Sequence, residues 1–280
     1  MFRFYINCHL WRPTIDEWLC SVRCVPNSEI QRIDRFVFQR DAKFALAGQL
    51  LIRYVLSKAY KRQRYPFTIE RSGKGRPYIK ELNGEFDFNL SHHGQLVAIG
   101  ATFDGHIGCD TIEYSSSPAI TTENRSAEYR TRLFQKKFTE NEQKFILNDQ
   151  NEHVRRKTFH RLWCLKESYV KMFGQGIGFE LLRLDFNVKS LFNESDRNQI
   201  LSDTIVSIDN KPSTHNVRFD EQIIYFNNNQ QQIITLCLTP TNPIEKFVEL
   251  NMSDVIKTCI PVRDTTDKQL WDSYMKKRTS

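Results

Sequence analysis

The chain has 280 residues and a formal net charge of +7, with 40% hydrophobic and 26% charged residues. This composition provides enough apolar surface for a sizeable core, so it excludes a disordered tail. Its apolar runs are short, and none approaches the ~20 residues needed to span a bilayer. A net positive charge of this size favours polyanionic partners: nucleic acid, a phosphorylated cofactor or an acidic protein.

The amino-terminal stretch and the cysteines together indicate a cytosolic protein. Residues 2–11 alternate like a strand and lack the apolar segment of a secretory signal, so no signal peptide is expected. The seven cysteines are odd in number and never form a C-x-x-C pair, which disfavours a metal knuckle or a disulfide framework. Scattered reduced thiols in the cytosol fit this pattern better.

Hydrophobic periodicity predicts helices and then strands along the first part of the chain. After the first strand, two short helical segments begin near Thr14 and Pro26, and a long helix runs to about Ala59. Strands are then predicted over residues 67–71, 86–91, 96–102 and 107–113, followed by an irregular connection over residues 115–126.

Two helices are predicted in the middle of the chain. Residues 139–142 form a capping box, Thr-x-x-Glu, which opens the first of them. The second covers residues 153–172 and stops at Gly174, because only glycine enters the left-handed cap without steric cost. The remainder is predicted as polar, poorly patterned chain over residues 190–212, strands over 222–226 and 232–238 around a polar turn, and a peripheral tail after Pro240.

Three ionisable residues suggest a catalytic centre. Glu167 and Lys171 are four apart on the predicted helix, so both side chains leave one face, about 5–6 Å apart at Cβ. The plainer interpretation is a surface ion pair on an amphipathic helix. Asp110 lies among apolar neighbours in a strand, where a carboxylate is costly to bury unless it is paired or metal-bound. Two carboxylates that converge on a divalent cation, beside cations for phosphate, suit Mg²⁺-assisted attack on a phosphoryl group.

Three further stretches are candidates for phosphate binding. Arg40 and Lys43 occupy the first turn of the long first helix, where a bound anion would complement the helix dipole. A solvated basic turn explains them equally well. In residues 71–76, glycines separate the cations, and glycines let backbone N–H groups approach a phosphate. A basic hairpin turn would have the same composition. The strand ending at Ser91 and His92 places polar side chains where sites are common.

These stretches resemble the 4′-phosphopantetheinyl transferases. Residues 88–92, 107–110 and 163–171 are similar to the three signature motifs of that family in order and spacing, and the resemblance extends from about Trp11 to Leu238. It implies an α/β (α+β) fold: a pseudo-two-fold pair of similar α/β lobes with the cofactor site between them. The expected lobes are residues 1–104 and 105–240, the second carrying the metal and catalytic residues, with a tail over 241–280.

The resemblance also implies an activity. A Mg²⁺-dependent or Mn²⁺-dependent enzyme would transfer the phosphopantetheine arm of coenzyme A to a serine of an apo acyl-carrier domain, such as that of fatty acid synthase. Adenosine 3′,5′-bisphosphate would be released. The implied protein is a cytosolic monomer that binds neither nucleic acid nor membrane.

Individual residues match the family's functional positions. Asp110 and Glu167 match the metal ligands, and Glu167, Lys171 and His92 match catalytic positions. Glu167 would be the base for the serine, and Lys171 would stabilise or protonate the pyrophosphate leaving side. The positions matched to coenzyme A binding are Arg40, Arg71, Ser72, Gly73, Lys74, Gly75, Arg76, Asn89, Leu90, Ser91, His92, Glu167 and Lys171.

One position departs from the family pattern. Ile112 stands where many members carry a third metal-binding carboxylate, so the metal is expected to keep more water. Glu113 is not expected to replace it, because successive strand residues alternate faces and only Asp110 and Ile112 share one.

Two other functions stay open. A scaffold that binds carrier domains without catalysis would explain Ile112. A basic nucleic-acid-binding protein would explain the charge, but it leaves Asp110 and Glu167 without a role, and no RNP, KH or zinc-finger pattern occurs.

Overall fold

The structure is a computed structural model that describes residues 1–61, 67–82, 84–115, 126–226, 230–264 and 267–279, with the backbone alone for Ser115 and Ile177. The predicted connection over residues 115–126 and the turn over 227–231 fall mostly outside these ranges. Within them, no helix combines the length and the apolar character that crossing a membrane requires.

The amino-terminal half is a four-stranded sheet covered by helices. Strand β5 (Leu96–Thr102) pairs antiparallel with β1 (Phe2–Asn7) on one side and with β4 (Asp87–His93) on the other, which leaves β4 at the sheet edge. The fourth strand, Val248–Glu249, comes from the end of the chain and pairs with β1. Helix α3 packs on β5, and the two share an apolar core. The elements are β1 (Phe2–Asn7), α1 (Ile15–Arg23), α2 (Asn27–Asp34), α3 (Gln39–Ala59), β2 (Ile69–Arg71), β3 (Pro77–Ile79), a 3₁₀ turn (Lys80–Leu82), β4 (Asp87–His93) and β5 (Leu96–Thr102).

The second half is a four-stranded sheet of order β6-β12-β11-β8 with the long helix α6 across it. Gly108 permits the close approach of α6, since a Cβ there would collide with the Ser168 carbonyl oxygen and the Met172 nitrogen. The elements are β6 (Ile107–Ser115), α4 (Ala127–Leu133), α5 (Glu140–Leu147), α6 (Glu152–Met172), 3₁₀ turns (Gly176–Gly178 and Leu181–Arg183), β7 (Leu184–Asn187), β8 (Ile200–Leu201), β9 (Ile205–Ile208), β10 (Lys211–Pro212), β11 (Arg218–Tyr225) and β12 (Gln230–Leu238).

The predictions that rest on a long hydrophobic pattern or on a capping signal are confirmed. The long helix α3 ends at Ala59, the capping box opens α5, and α6 is followed by Gly174 at a φ of +60°. The prediction for residues 190–212 is incomplete, because β8, β9 and β10 lie there. These strands have two to four residues each, too few to establish an alternation.

The two sheets meet along their edge strands without a backbone ladder. Asp87 on β4 accepts a hydrogen bond from the Ile107 N–H at 2.9 Å, and Asn89 accepts one from the Cys109 N–H at 2.8 Å. We name this line of contacts, made by Asp87, Asn89, Ser91 and His93 against β6, the β4–β6 seam. Backbone groups that would otherwise stay unpaired at a buried sheet edge are thereby satisfied.

The mixed α/β architecture agrees with the prediction. Each half combines one four-stranded sheet with one helix of 21 residues. The pseudo-two-fold relation and the boundary between residues 104 and 105 stay predictions.

The segment after Pro240 is not peripheral, contrary to the prediction. It contains β13 (Val248–Glu249), which pairs parallel with β1, and the helices α7 (Met252–Thr258) and α8 (Gln269–Lys276). Tyr274 is buried and stacks on Trp18 with ring centroids 3.9 Å apart. The segment closes the amino-terminal core; Met252, Val255 and Cys259 have helical spacing, but over only two turns, which is too short for a strong periodic signal.

Tyr274→Ala is therefore expected to lower the free energy of unfolding by about 3 kcal/mol, because it removes a buried ring from a packed core. The matched control is Met275→Ala at the next position, which is 51% exposed and should change stability by less than about 0.5 kcal/mol. Urea unfolding of both variants measures the difference. Equal stabilities would show that the tail contributes nothing to the core.

Candidate active site

The centre of the site is an ion pair between α6 and β6. The Lys171 ammonium donates to Asp110 Oδ1 at 2.5 Å and to Ser91 Oγ at 2.9 Å. Ser91 Oγ in turn donates to Asp110 Oδ1 at 3.0 Å, which continues the β4–β6 seam. Burial alone would lower the pKa of Lys171, but the Asp110 carboxylate outweighs it and raises that pKa. The buried carboxylate is thus paired, as its apolar surroundings require.

Glu167 lies one helical turn before Lys171 and is half-buried. Among the described residues no side chain or backbone group donates a hydrogen bond to its carboxylate. Burial, and after it the negative charge of Asp110, raises the pKa of Glu167. The site therefore holds one carboxylate neutralised by Lys171 and a second whose charge is less well compensated.

A cavity of about 610 Å³, the first cavity, opens between the two halves beside this centre. Its volume suits a ligand of the size of a nucleotide cofactor. Its apolar wall comprises Phe36, Phe44, Ile52, Leu90, Val170, Phe179 and Leu181. Its cations are Arg32, Arg71, Lys74, Arg76, Lys137 and Lys171.

A smaller cavity of about 450 Å³, the adjoining cavity, lies on the other side of the same centre. Asp110, Ile112 and Ser91 border it. Leu90, His92, Trp163, Glu167 and Lys171 border both cavities. A group bound in one cavity and a group entering the other would therefore meet at Glu167 and Lys171.

His92 borders both cavities, whereas its neighbour His93 borders only the adjoining one. His92 is exposed overall, but desolvation of its ring, and after it the positive charge of Lys171, lowers its pKa, which favours the neutral imidazole. A neutral imidazole can donate one hydrogen bond and accept another. His93 Nδ1 instead accepts from the Glu113 N–H at 2.9 Å.

The loop between β2 and β3 divides into exposed and structural cations. Arg71 and Lys74 border the first cavity and are exposed, and Gly75, with a φ of +83°, turns the chain directly after Lys74. Ser72 and Gly73 are also exposed but lie outside the cavity wall. The loop thus presents two exposed cationic side chains at the cavity mouth, Arg71 bonded to Glu29 and Lys74 to the Gln175 carbonyl.

Arg76 differs from the prediction of a phosphate-binding residue, because protein groups already occupy its guanidinium. Its Nη2 donates to both Asp87 carboxylate oxygens at 2.8 and 2.9 Å and to the Ile107 carbonyl at 2.9 Å. Its Nη1 donates to the carbonyls of Lys171 and Met172. Arg76 fastens the last turn of α6 to the seam.

Arg40 also departs from its predicted place. It donates to the Gly94 carbonyl at 2.7 Å and lies over the Phe44 ring, and it borders a separate cavity of about 620 Å³. The structure does not bring its side chain to the wall of the first cavity. Asn89 and Leu90 do line that cavity, although the Asn89 side-chain oxygen is occupied by the seam.

Several wall residues were missed by sequence reasoning. Phe36, Phe44 and Phe179 face the first cavity, yet their spacing is the same as that of core aromatic residues. Lys137 belongs to a basic stretch that carries no motif. Only the meeting of the two halves distinguishes these positions from ordinary core and surface.

The residues present fit a divalent cation with two protein ligands. Asp110 and Glu167 border the same cavity, and Asp110 Oδ2 accepts no hydrogen bond from the described residues. Within the described ranges no group of three or more His, Cys, Asp or Glu side chains is close enough to hold a metal. Mg²⁺ tolerates such a site, because it prefers carboxylate oxygens and retains several waters.

The third carboxylate of the family pattern is indeed missing from this face. Ile112 borders the adjoining cavity beside Asp110. Glu113 borders the Arg40 cavity instead, where Gln95 Nε2 donates to it at 3.4 Å. This arrangement agrees with the alternation of side chains along β6.

The chain belongs to the 4′-phosphopantetheinyl transferase superfamily, whose model matches residues 106–237. The model described as 4′-phosphopantetheinyl transferase, N-terminal, matches residues 9–104. The resemblance found in the sequence is thus confirmed, and with it a transferase that modifies carrier proteins with phosphopantetheine.

Some curated relatives cover nearly the whole chain, and others cover about half of it. The L-aminoadipate-semialdehyde dehydrogenase-phosphopantetheinyl transferase of Xenopus laevis is 31% identical over 99% of this chain and 92% of its own length. The protein of that name from Homo sapiens is 28% identical, over 97% of this chain and 90% of its own. The 4′-phosphopantetheinyl transferase psf-1 of Bacillus pumilus is 30% identical over 53% of this chain and 57% of its own.

Arg76→Gln should lower the free energy of unfolding by about 2–4 kcal/mol, since it removes several charge-assisted hydrogen bonds within the protein. Arg71→Gln is the matched control from the same loop: its contact with Glu29, at 3.2 Å, is partly exposed, so the loss should stay within about 1 kcal/mol. Chemical denaturation measures both. A stable Arg76→Gln protein would mean that Arg76 does not fasten α6.

Glu167→Gln should lower kcat/KM for carrier modification by on the order of 10²-fold or more, because one substitution removes a candidate base and a candidate metal ligand. Glu113→Gln, which changes a carboxylate in the other cavity, should stay within about tenfold. Both are measured at saturating Mg²⁺ with one carrier domain. A Glu113→Gln protein that stays folded yet loses as much activity would place Glu113 at the metal.

Proposed function

We propose that this chain transfers the 4′-phosphopantetheine group of coenzyme A to a serine hydroxyl of apo acyl-carrier domains. The products would be the holo-carrier and adenosine 3′,5′-bisphosphate. The observation that carries the proposal is the meeting of Asp110, Glu167 and Lys171 at the boundary between a cation-lined cavity and a second, adjoining one.

The first cavity supplies the features that coenzyme A needs. Arg71 and Lys74 at its mouth offer cations to the phosphates of the cofactor, and charge-assisted contacts of this kind contribute about 1.5–3 kcal/mol each. Aromatic and aliphatic side chains such as Phe44 and Phe179 provide surface for the adenine ring and the pantetheine arm. His92 lies between this cavity and the catalytic centre and can contact a phosphate oxygen.

The chemistry follows from the charges at the boundary. The serine oxygen would form a bond to the β-phosphorus of coenzyme A, while the bond from that phosphorus to the bridging oxygen breaks. Glu167, whose pKa is raised by burial and by Asp110, would accept the serine proton. The Lys171 ammonium, held by Asp110, would neutralise the charge that develops on the departing bisphosphate.

Asp110 and Glu167 are the residues that would hold Mg²⁺ or Mn²⁺. When bound there, the ion supplies positive charge to the pyrophosphate oxygens. The pairing of Asp110 with Lys171 fixes the orientation of that carboxylate at the wall of the adjoining cavity.

The partners proposed are carrier domains. The names of the animal relatives point to L-aminoadipate-semialdehyde dehydrogenase as one carrier-bearing substrate. The carrier domain of fatty acid synthase is a second. We also propose that the chain acts as a monomer in the cytosol, which fits the free thiols of all seven cysteines.

Incubation of an apo-carrier domain with the chain, coenzyme A and Mg²⁺ should add one phosphopantetheine to the carrier serine, measured by intact-mass spectrometry. Excess chelator should stop the transfer, and Mg²⁺ or Mn²⁺ should restore it, since two carboxylates facing a pyrophosphate need a counter-ion.

A carrier with its serine replaced by alanine is the matched control and should gain no mass. Full transfer in excess chelator would overturn the metal assignment. Binding of the carrier without any gain of mass would favour the scaffold that Ile112 suggests.

A further inference from the structure

Lys166 precedes Glu167 on α6 but points away from both cavities. Its side chain has no exposed surface, and neither cavity wall includes it. The ammonium donates to the Leu181 carbonyl at 2.9 Å and to the Leu184 carbonyl at 2.6 Å, and it pairs with Glu142 at 2.8 Å. All three ammonium hydrogens therefore have acceptors.

Glu142 extends this contact to two further elements. It is the third residue of the α5 capping box, and one oxygen accepts from the Thr139 N–H at 2.9 Å. The other oxygen accepts from the Phe186 N–H at 3.1 Å on β7. The pair of Lys166 and Glu142 thus joins α5, α6, the turn Leu181–Arg183 and β7 at one buried point.

The segment that this pair holds is part of the first cavity's wall. Phe179 and Leu181 line that cavity, and the segment reaches them from Gly174 through a 3₁₀ turn that includes Gly176 at a φ of +63°. A glycine-rich segment of this kind has no ladder of its own to fix it before β7 begins. The contacts of Lys166 with the Leu181 and Leu184 carbonyls hold the carboxyl end of the segment on α6.

The energetics explain why an ion pair is used here. Replacing a buried ion pair by apolar residues is often neutral for stability, so stability alone does not require Lys166. The carbonyls of Leu181 and Leu184, however, would lose a donor if the lysine were absent. The lysine thereby fixes where the wall segment lies, and an apolar residue would not.

We propose that Lys166, held by Glu142, is a positioning residue that sets the wall of the first cavity and thereby the affinity for coenzyme A. The inference rests on the proposed function, since it takes coenzyme A as the ligand of that cavity. Lys166 acts through Phe179 and Leu181 and does not touch the ligand.

A second buried pair on α6 provides the matched control. Arg161 bonds Glu221 at 2.6 and 2.8 Å, with side chains 4% and 0% exposed, and it also donates to the Ser190 carbonyl. These residues border neither cavity at the catalytic centre. Removing this pair takes a comparable buried ion pair from α6 but leaves the contacts of the first cavity's wall unchanged.

The experiment compares two double variants. The first combines Lys166→Met with Glu142→Gln, and the second combines Arg161→Met with Glu221→Gln. Neither double variant leaves an uncompensated buried charge. The first should raise the Kd and the KM for coenzyme A about tenfold, as expected for a misplaced wall, while kcat changes less. The second should leave the Kd within about twofold.

Amide hydrogen exchange over residues 176–184 gives a readout that does not depend on activity. It should accelerate in the Lys166 variant and stay unchanged in the Arg161 control. If the first variant does not fold, Lys166→Met with Glu142→Leu replaces it, because an apolar pair recovers stability yet offers the two carbonyls no donor.

Unchanged exchange, or unchanged affinity for coenzyme A in the Lys166 variant, would overturn the inference. Failure of the unmodified chain to bind coenzyme A would instead overturn the proposed function. In that case the exchange measurement still decides whether Lys166 fixes the segment.

Discussion

The site depends on the β4–β6 seam, where side chains of one sheet edge satisfy the backbone of another. Asp87 and Asn89 accept the N–H groups of alternate β6 residues, and Ser91 continues the line to the Asp110 carboxylate. Because Asp87 and Asn89 are two residues apart, as are Ile107 and Cys109, one register fixes both backbone contacts, and Asp110 follows directly after Cys109. Asp110 is therefore placed by the same contacts that join the halves, and the cavities form beside them.

Arg76 connects the seam to the catalytic helix. It binds Asp87 on β4 and the last carbonyls of α6, so the turn that carries Lys171 is fixed relative to the strand that carries Asp110. Cations at a helix C-terminus also interact favourably with the helix dipole. A phosphate would have to displace several protein acceptors to capture this guanidinium. Arg71 and Lys74 are more exposed and have fewer protein acceptors: Arg71 contacts Glu29 and the Gly75 carbonyl, and Lys74 contacts the Gln175 carbonyl.

The sequence predicts the local parts of this architecture well and the contacts between them poorly. The alternation of Phe86, Phe88 and Leu90 correctly predicts a strand, but nothing in it reveals that its polar face meets another strand. Arg40 and Arg76 have the composition of phosphate-binding residues, yet Arg40 reaches a different cavity and Arg76 has protein acceptors. Such outcomes depend on partners distant in sequence. Glu167 and Lys171 could be identified because their relation is local, one turn of helix.

The charge balance at the centre explains how these residues divide their tasks. The Lys171 ammonium pairs with Asp110 and so compensates one of the two carboxylates. Asp110 is the partner because the hydrogen bond from Ser91 fixes its carboxylate. Glu167 is left on the same helix face without a hydrogen-bond donor among the described residues, so the centre keeps one negative charge in excess. Burial, and after it the charge of Asp110, raises the pKa of Glu167, and the excess negative charge would attract a divalent cation. With Ile112 in place of a third carboxylate, the excess stays small, so an ion held here would depend more on the phosphates of its substrate and on water than on the protein.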